Sequence, residues 1–171
     1  MVPLSDRTFC WSVALGAWAL DQATKALITA YLQAGESIPI IPGLFDLTLV
    51  TNTGGIFGIL RDLDGPLKKV TFTLIPVAAI SLMIWYGSKL PAGRRWPRIA
   101  LGLILGGAAG NLQDRIALGH VIDFLDAYVG RHHWPTFNLA DSGICVGVTM
   151  LLVESFLLQR AGDGAATPPP L

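Results

Sequence analysis

The chain has 171 residues, of which 52% are hydrophobic and only 14% are charged, and its mean hydropathy is clearly positive. Soluble domains usually contain about 25% charged residues, so this composition disfavours a soluble protein and indicates a membrane protein. The formal net charge of zero excludes a general electrostatic attraction to nucleic acid.

Four stretches are long and apolar enough to cross a bilayer, whose hydrocarbon core requires roughly 20 helical residues. In chain order they are Thr8–Leu32, Val70–Tyr86, Ile99–Leu118 and Leu139–Gln159. The connector between the second and third spans, residues 87–98, contains four cationic residues and no acid. The positive-inside rule therefore predicts that this connector is cytoplasmic, and an even number of crossings then places both termini in the cytoplasm.

The loop after the first span, Gln33–Lys69, is too long for a simple hairpin. Its alternating apolar residues around Leu47 and Leu49 predict a short sheet on the membrane surface, a β-rich insert of about residues 33–66. Two roles remain open for it: contact with lipid or an acylated ligand, or a folded cap with no binding role. Residues 1–160 are predicted to form a single domain, and the Pro-rich residues 161–171 a disordered cytoplasmic tail.

Ionisable residues inside membrane spans are costly, so each is a functional candidate. Asp21 and Lys25 lie four residues apart on one helical face and can form a structural ion pair. Asp114 and Arg115 are adjacent, so their side chains diverge by about 100° and should have different partners. The guanidinium of Arg115 suits a carboxylate, a substrate carbonyl or a helix-packing clamp. A stripe of small residues in the same span predicts a close helix contact and consists of Gly102, Gly106 and Gly110.

Two further carboxylates are predicted to lie near the same outer membrane face, because one helix rises to that face and the next descends from it. Asp123 lies just past the third span, and Asp141 is in the first turn of the fourth. Alone, Asp141 fits a helix-capping role with Asn138 as the N-cap. Together, the two carboxylates can share one proton, so that one activates water while the other donates to an amide carbonyl. Asp126 is expected to be solvated.

Other chemistries have weaker support in the sequence. It contains neither an HExxH zinc motif nor a GxSxG nucleophile motif, and three histidines make a weak zinc site. Two non-peptidase classes remain as alternatives. One is a small transporter or proton channel that uses the same buried acids, and the other is a non-catalytic lipid-binding or assembly subunit.

Five motifs make the chain resemble the lipoprotein signal peptidases, the type II signal peptidase family, over nearly its whole length. Any one of the motifs is weak alone, but together and in this order they are highly specific. They are "DQATK" at Asp21–Lys25, "NTGGIF" at Asn52–Phe57, "GGAAGNLQDR" at Gly106–Arg115, "VIDF" at Val121–Phe124 and "FNLAD" at Phe137–Asp141.

The resemblance implies an aspartyl endopeptidase of the bacterial plasma (inner) membrane. Such an enzyme removes the signal peptide from prolipoproteins, cutting just before a cysteine that already bears diacylglycerol. The implied fold is an all-α membrane protein with four transmembrane helices, a small extracytoplasmic β-cradle and a mobile amphipathic segment, with the active site near the extracytoplasmic face. The resemblance implies no metal or cofactor, and it implies inhibition by the cyclic peptide globomycin.

The resemblance also implies roles for individual residues. It assigns Asp123 and Asp141 to the catalytic dyad. The positions implied to bind substrate are Asn52, Gly54, Asn111, Arg115 and Asn138. The positions implied to be polar and structural are Asp21, Lys25 and Asp114. The chain departs from the family's NxGAAF pattern at Gly55 and Ile56, which changes the predicted geometry of that loop.

Overall fold

The computed structural model describes residues 4–53 and 66–165. The helices in this part of the chain are α1 (Leu4–Tyr31), α2 (Pro66–Lys89), α3 (Arg95–Ala117) and α4 (Leu139–Ala165). The strands are β1 (Ser37–Ile41), β2 (Phe45–Asn52), β3 (Val121–Val129) and β4 (His132–His133). The predicted site residue Gly54 and the three motif residues after it, through Phe57, lie outside the described residues.

The four helices coincide with the four predicted spans and extend a few residues past most of the predicted ends. By length and apolar composition, two stretches of the described helices are able to cross a membrane, Val70–Lys89 and Leu139–Ala161. The helix α4 continues to Ala165, past the predicted start of the tail at residue 161.

Helix α3 lies at the centre of the bundle, and glycines let its neighbours approach closely. A Cβ atom added to Gly106 would collide with the Ala14 carbonyl oxygen of α1. On another side of α3, a Cβ atom added to Gly107 would collide with the Ala140 carbonyl oxygen of α4. The predicted close helix contact is therefore present, and it brings the polar residues of α1 and α4 onto α3. Gly119, with a φ of +79°, follows the end of α3 and turns the chain into β3.

The sheet has four antiparallel strands in the order β1-β2-β3-β4. The predicted alternation in the first loop is confirmed as β2, in which a bulge between Leu47 and Val50 shifts the register with β3. The sheet also extends beyond the predicted insert of residues 33–66, because β3 and β4 come from the segment between α3 and α4. Asp123 consequently lies on a strand, where it pairs with Val50.

The expectation that Asp126 is solvated is wrong. Its side chain is buried, with 7% of the residue exposed, and one carboxylate oxygen lies 2.9 Å from Nδ1 of His133. The His133 ring stacks on Tyr128 with ring centroids 4.6 Å apart. These contacts join β3 and β4, so the burial of Asp126 depends on strand pairing, which the local sequence does not predict.

Candidate active site

The strand pairing of β2 with β3 brings Asn52 to Asp123. Val50 lies opposite Asp123, and Asn52 lies two residues further along β2, so its side chain is on the same face of the sheet. The Asn52 side-chain amide donates a hydrogen bond of 2.9 Å to Oδ2 of Asp123. Asp123 is 1% exposed, so this carboxylate depends on protein donors rather than on bulk water.

Asp141 and Asn138 form a reciprocal cap at the start of α4. The backbone N–H of Asp141 donates to Oδ1 of Asn138 at 2.9 Å, and the backbone N–H of Asn138 donates to Oδ2 of Asp141 at 3.3 Å. This is the geometry of a capping box with an aspartate at its third helical position. The prediction that Asn138 is the N-cap is confirmed, and capping explains why a carboxylate is present in the first turn of an apolar helix.

Asn138 also connects the two carboxylates. The backbone N–H of Leu125 donates to the Phe137 carbonyl at 2.8 Å, and this pairing with β3 holds the next residue, Asn138, beside Asp123. The Asn138 side-chain amide then donates to Oδ1 of Asp123 at 2.7 Å. A single residue thus donates hydrogen bonds to both Asp123 and Asp141, which brings the two predicted catalytic residues into one site.

A third asparagine, Asn111 of α3, completes the set of donors. Its Nδ2 donates to Oδ1 of Asp141 at 2.8 Å, while its Oδ1 accepts a bond of 3.1 Å from the Asn138 amide. Each oxygen of the two carboxylates therefore accepts a hydrogen bond from an asparagine. Asn111 is 5% exposed and Asn138 is fully buried, so in this structure both asparagines support the carboxylates rather than face outward.

Burial raises the pKa of Asp123 to about 7. The hydrogen bond from Asn52 opposes this increase, and the negative charge of Asp141 adds to it. A carboxyl group with such a pKa populates its protonated and ionised forms near neutral pH. The pair is therefore suited to hold one proton between two acids.

Arg115 supplies a cation beside this pair. It is half-buried on α3, and its guanidinium carbon lies 5.5 Å from the ring centroid of Phe72 on α2. Its charge interacts electrostatically with Asp141, Asp123 and Asp114. Packing against an aromatic ring leaves guanidinium donors available for a polar group at the site.

A buried ion cluster lies next to the site. Nζ of Lys25 is 2.8 Å from Oδ2 of Asp21 and 2.8 Å from Oδ2 of Asp114, which confirms the predicted Asp21–Lys25 pair. Asp21 also accepts the backbone N–H of Ala140 at 2.9 Å, and Asp114 accepts that of Ile122 at 3.2 Å. The cluster thereby fixes the start of α4 and the start of β3, which carry the two carboxylates.

Sequence reasoning missed Gln22. Its side-chain amide donates to Oδ2 of Asp21 at 3.1 Å and to Oδ1 of Asp114 at 3.2 Å, so it supports the ion cluster from α1. The available signal was a polar residue within an apolar span, next to Asp21, where unpaired polar groups are costly.

Comparisons with known proteins agree on one family. A sequence profile described as Signal peptidase (SPase) II matches residues 13–157. The lipoprotein signal peptidase of Geobacter sulfurreducens is 45% identical over 149 residues, which cover 87% of this chain and 92% of that protein. The lipoprotein signal peptidase of Pseudomonas aeruginosa is 43% identical over 149 residues, which cover 86% of this chain and 88% of that protein.

A solved structure shares the fold of this chain. It is described as a bacterial membrane enzyme, and it is 27% identical to this chain with a TM-score of 0.79. The alignment covers 94% of each of the two chains. The profile match spans most of the sequence, and the similar proteins have nearly the same length. The chain therefore belongs to the signal peptidase II family.

Proposed function

We propose that this chain is an aspartyl endopeptidase in which Asp123 and Asp141 together hydrolyse a peptide bond of a prolipoprotein. As a member of the signal peptidase II family, the chain is a peptidase that removes signal peptides from prolipoproteins. The observation that carries the aspartyl assignment is Asn138, which is hydrogen-bonded to both carboxylates. Two buried acids that accept hydrogen bonds from the same asparagine are suited to general acid–base catalysis.

In the proposed reaction, the two carboxylates have different protonation states. Asp141 is the base, because it lies at the positive end of the helix dipole, where an anion is stabilised. It takes a proton from water, and the resulting hydroxide attacks the scissile carbonyl carbon. Asp123, whose pKa is about 7, donates its proton to the carbonyl oxygen. When the tetrahedral intermediate collapses, the C–N bond breaks and the leaving amine takes the proton from Asp141. Asp123 takes back the proton that it gave to the former carbonyl oxygen.

Other polar residues have supporting roles in this proposal. Arg115, which is half-buried with its charge near both acids, holds a carbonyl or carboxylate of the substrate. Asn52 orients Asp123 from the C-terminal end of β2 and contacts substrate there. Asn111 and Asn138 position the carboxylates through their amides rather than binding substrate directly.

The proposed setting is the bacterial plasma (inner) membrane. All four helices cross it, both termini are cytoplasmic, and the sheet and the two acids lie near the extracytoplasmic face. Large apolar side chains on α1, such as Trp11, Leu15 and Leu27, are more than half exposed, which suits contact with lipid. Ile40 and Ile41 of β1 are likewise 51% exposed, so the sheet has an apolar surface for the diacylglyceryl chains of the substrate or for membrane lipid. The alternative of a transporter or proton channel has no support from the family or its relatives.

The decisive experiment uses purified protein and a precursor peptide that carries a diacylglyceryl cysteine. We expect mass spectrometry to find a cut just before that cysteine, inhibition of the cut by globomycin, and little cleavage of the same peptide without the lipid. An intact lipidated precursor, together with ion flux across vesicles that contain the protein, would instead favour a channel.

A further inference from the structure

We propose that Lys25 is a positioning residue whose ammonium group fixes the amide orientation of Asn111, and so the hydrogen bond that Asn111 gives to Asp141. This inference rests on the proposed function of the Asp123–Asp141 pair. It goes beyond the structural ion pair expected from the sequence, because it connects Lys25 to a reacting carboxylate through a single side chain.

Lys25 contacts the Asn111 side chain directly. Nζ of Lys25 lies 3.0 Å from Oδ1 of Asn111, and Lys25 is only 2% exposed. An ammonium group has three donors and no acceptor, so only the oxygen of the amide can face it. The opposite orientation would place the Asn111 NH2 group against the cation. Lys25 therefore selects the orientation in which Nδ2 of Asn111 points to Asp141, to which it donates at 2.8 Å.

Two buried carboxylates hold Lys25 itself in place. Asp21 and Asp114 each lie 2.8 Å from its ammonium group, so they fix its position from α1 and from α3. Asn138 also donates to Oδ1 of Asn111, at 3.1 Å. The bond from Lys25 is charge-assisted and therefore the stronger of the two. The orientation of Asn111 thus depends mainly on a cation whose own place is fixed by two buried anions.

Lys25 also acts on the site through its charge. The charged groups that face Lys25 and the site are Asp21 on α1, Asp114 and Arg115 on α3, Asp123 on β3 and Asp141 on α4. The positive charge of Lys25 lowers the pKa of Asp123, against the larger effect of burial. Removal of this charge must therefore raise the pKa of Asp123 further. A purely structural role for Lys25 does not predict this effect on the pH profile of the reaction.

The test begins with Lys25→Met, which keeps the length of the side chain but removes its charge and its donors. We expect kcat for a diacylated precursor to fall by about 10²-fold, as misplaced catalytic groups typically cause. We expect KM to change little, and the alkaline limb of the kcat/KM profile to move to higher pH. Gln22→Met is the matched control. Gln22 donates to Asp21 and Asp114, the two carboxylates that hold Lys25, at 3.1 and 3.2 Å. The Gln22→Met variant should therefore lose stability but keep the wild-type pH profile.

A double-mutant cycle separates positioning from general structural support. If Lys25 acts through Asn111, adding Lys25→Met to Asn111→Ala should lower kcat by no more than about 2-fold, the scatter found for unrelated sites. If the falls in kcat of the two single variants multiply in the double variant, the inference is overturned. An identical pH profile in Lys25→Met and the wild type would also overturn it. If Lys25→Met does not fold, the double variant Lys25→Met/Asp114→Asn replaces it, because it removes one charge of each sign. The cycle then takes Asp114→Asn alone as its reference. Activity in Asp123→Asn or Asp141→Asn would instead remove the proposed function itself.

Discussion

Replacement of either Asp123 or Asp141 by asparagine should lower kcat for a diacylated precursor by about 10³-fold, within the range that general acid–base groups contribute. Asparagine has nearly the same shape as aspartate, and its oxygen still accepts one hydrogen bond from the surrounding amides. It takes no proton from water, however, and it donates none to the carbonyl oxygen as a carboxylic acid does. The measurement is the rate of product formation by mass spectrometry, with thermal unfolding in detergent as a check of folding.

Asp46→Asn is the matched control for these variants. It makes the same chemical change on β2, at a carboxylate that accepts the Tyr128 hydroxyl at 3.0 Å and takes no part in the asparagine network. We expect wild-type cleavage by Asp46→Asn. Cleavage within about 10-fold of the wild type by Asp123→Asn or Asp141→Asn would rule out the acid–base assignment.

The second large effect is expected at Asn138. Asn138→Ala removes the N-cap of α4 and the amide that serves Asp123 and Asn111. The loss of a cap costs about 1 kcal/mol, and buried groups left without partners add about 1–3 kcal/mol. We therefore expect the free energy of unfolding to decrease by about 3 kcal/mol and kcat to fall by about 10²-fold. Chemical unfolding in detergent and the peptide cleavage rate measure the two effects.

Asn138→Ser separates the cap from the catalytic contribution. A serine hydroxyl accepts the backbone N–H of Asp141 and so should recover about 1 kcal/mol of the lost stability. It is too short to replace the amide donor to Asp123, so the cleavage rate should stay low. Recovery of full activity together with stability would mean that Asn138 acts only as a helix cap.

The sequence predicts the helices well because their signals are local. Long apolar runs define the four helices, the four-residue spacing of Asp21 and Lys25 indicates their pairing, and the small residues of α3 indicate a close contact. Asn138 before an apolar run is likewise a local sign of a helix start. Each of these features depends on residues that lie within a few turns of one another.

The sequence does not predict the arrangement of the site, because that arrangement depends on distant pairings. Asp123 and Asn52 are 71 residues apart in the chain and meet only because β3 pairs with β2. The register of this pairing is shifted by a bulge that no local pattern indicates. The amide orientation of Asn111 is set by Lys25, which is 86 residues away. Asp126 has the composition of a solvated acid but is covered by a neighbouring strand. The two acids are identified by motif, and only the fold brings them together.

The proposed reaction requires Asp123 and Asp141 to work as one protonated and one ionised acid, and the pH dependence of kcat/KM tests this most directly. Because burial raises the pKa of Asp123 to about 7, the active form with a protonated Asp123 disappears as the pH rises through that value. At low pH, protonation of Asp141 removes the base. We predict a bell-shaped profile for the diacylated precursor, with its alkaline limb near the pKa of Asp123. A rate that is constant on the acid side, or that continues to rise well above the pKa of Asp123, would contradict the account.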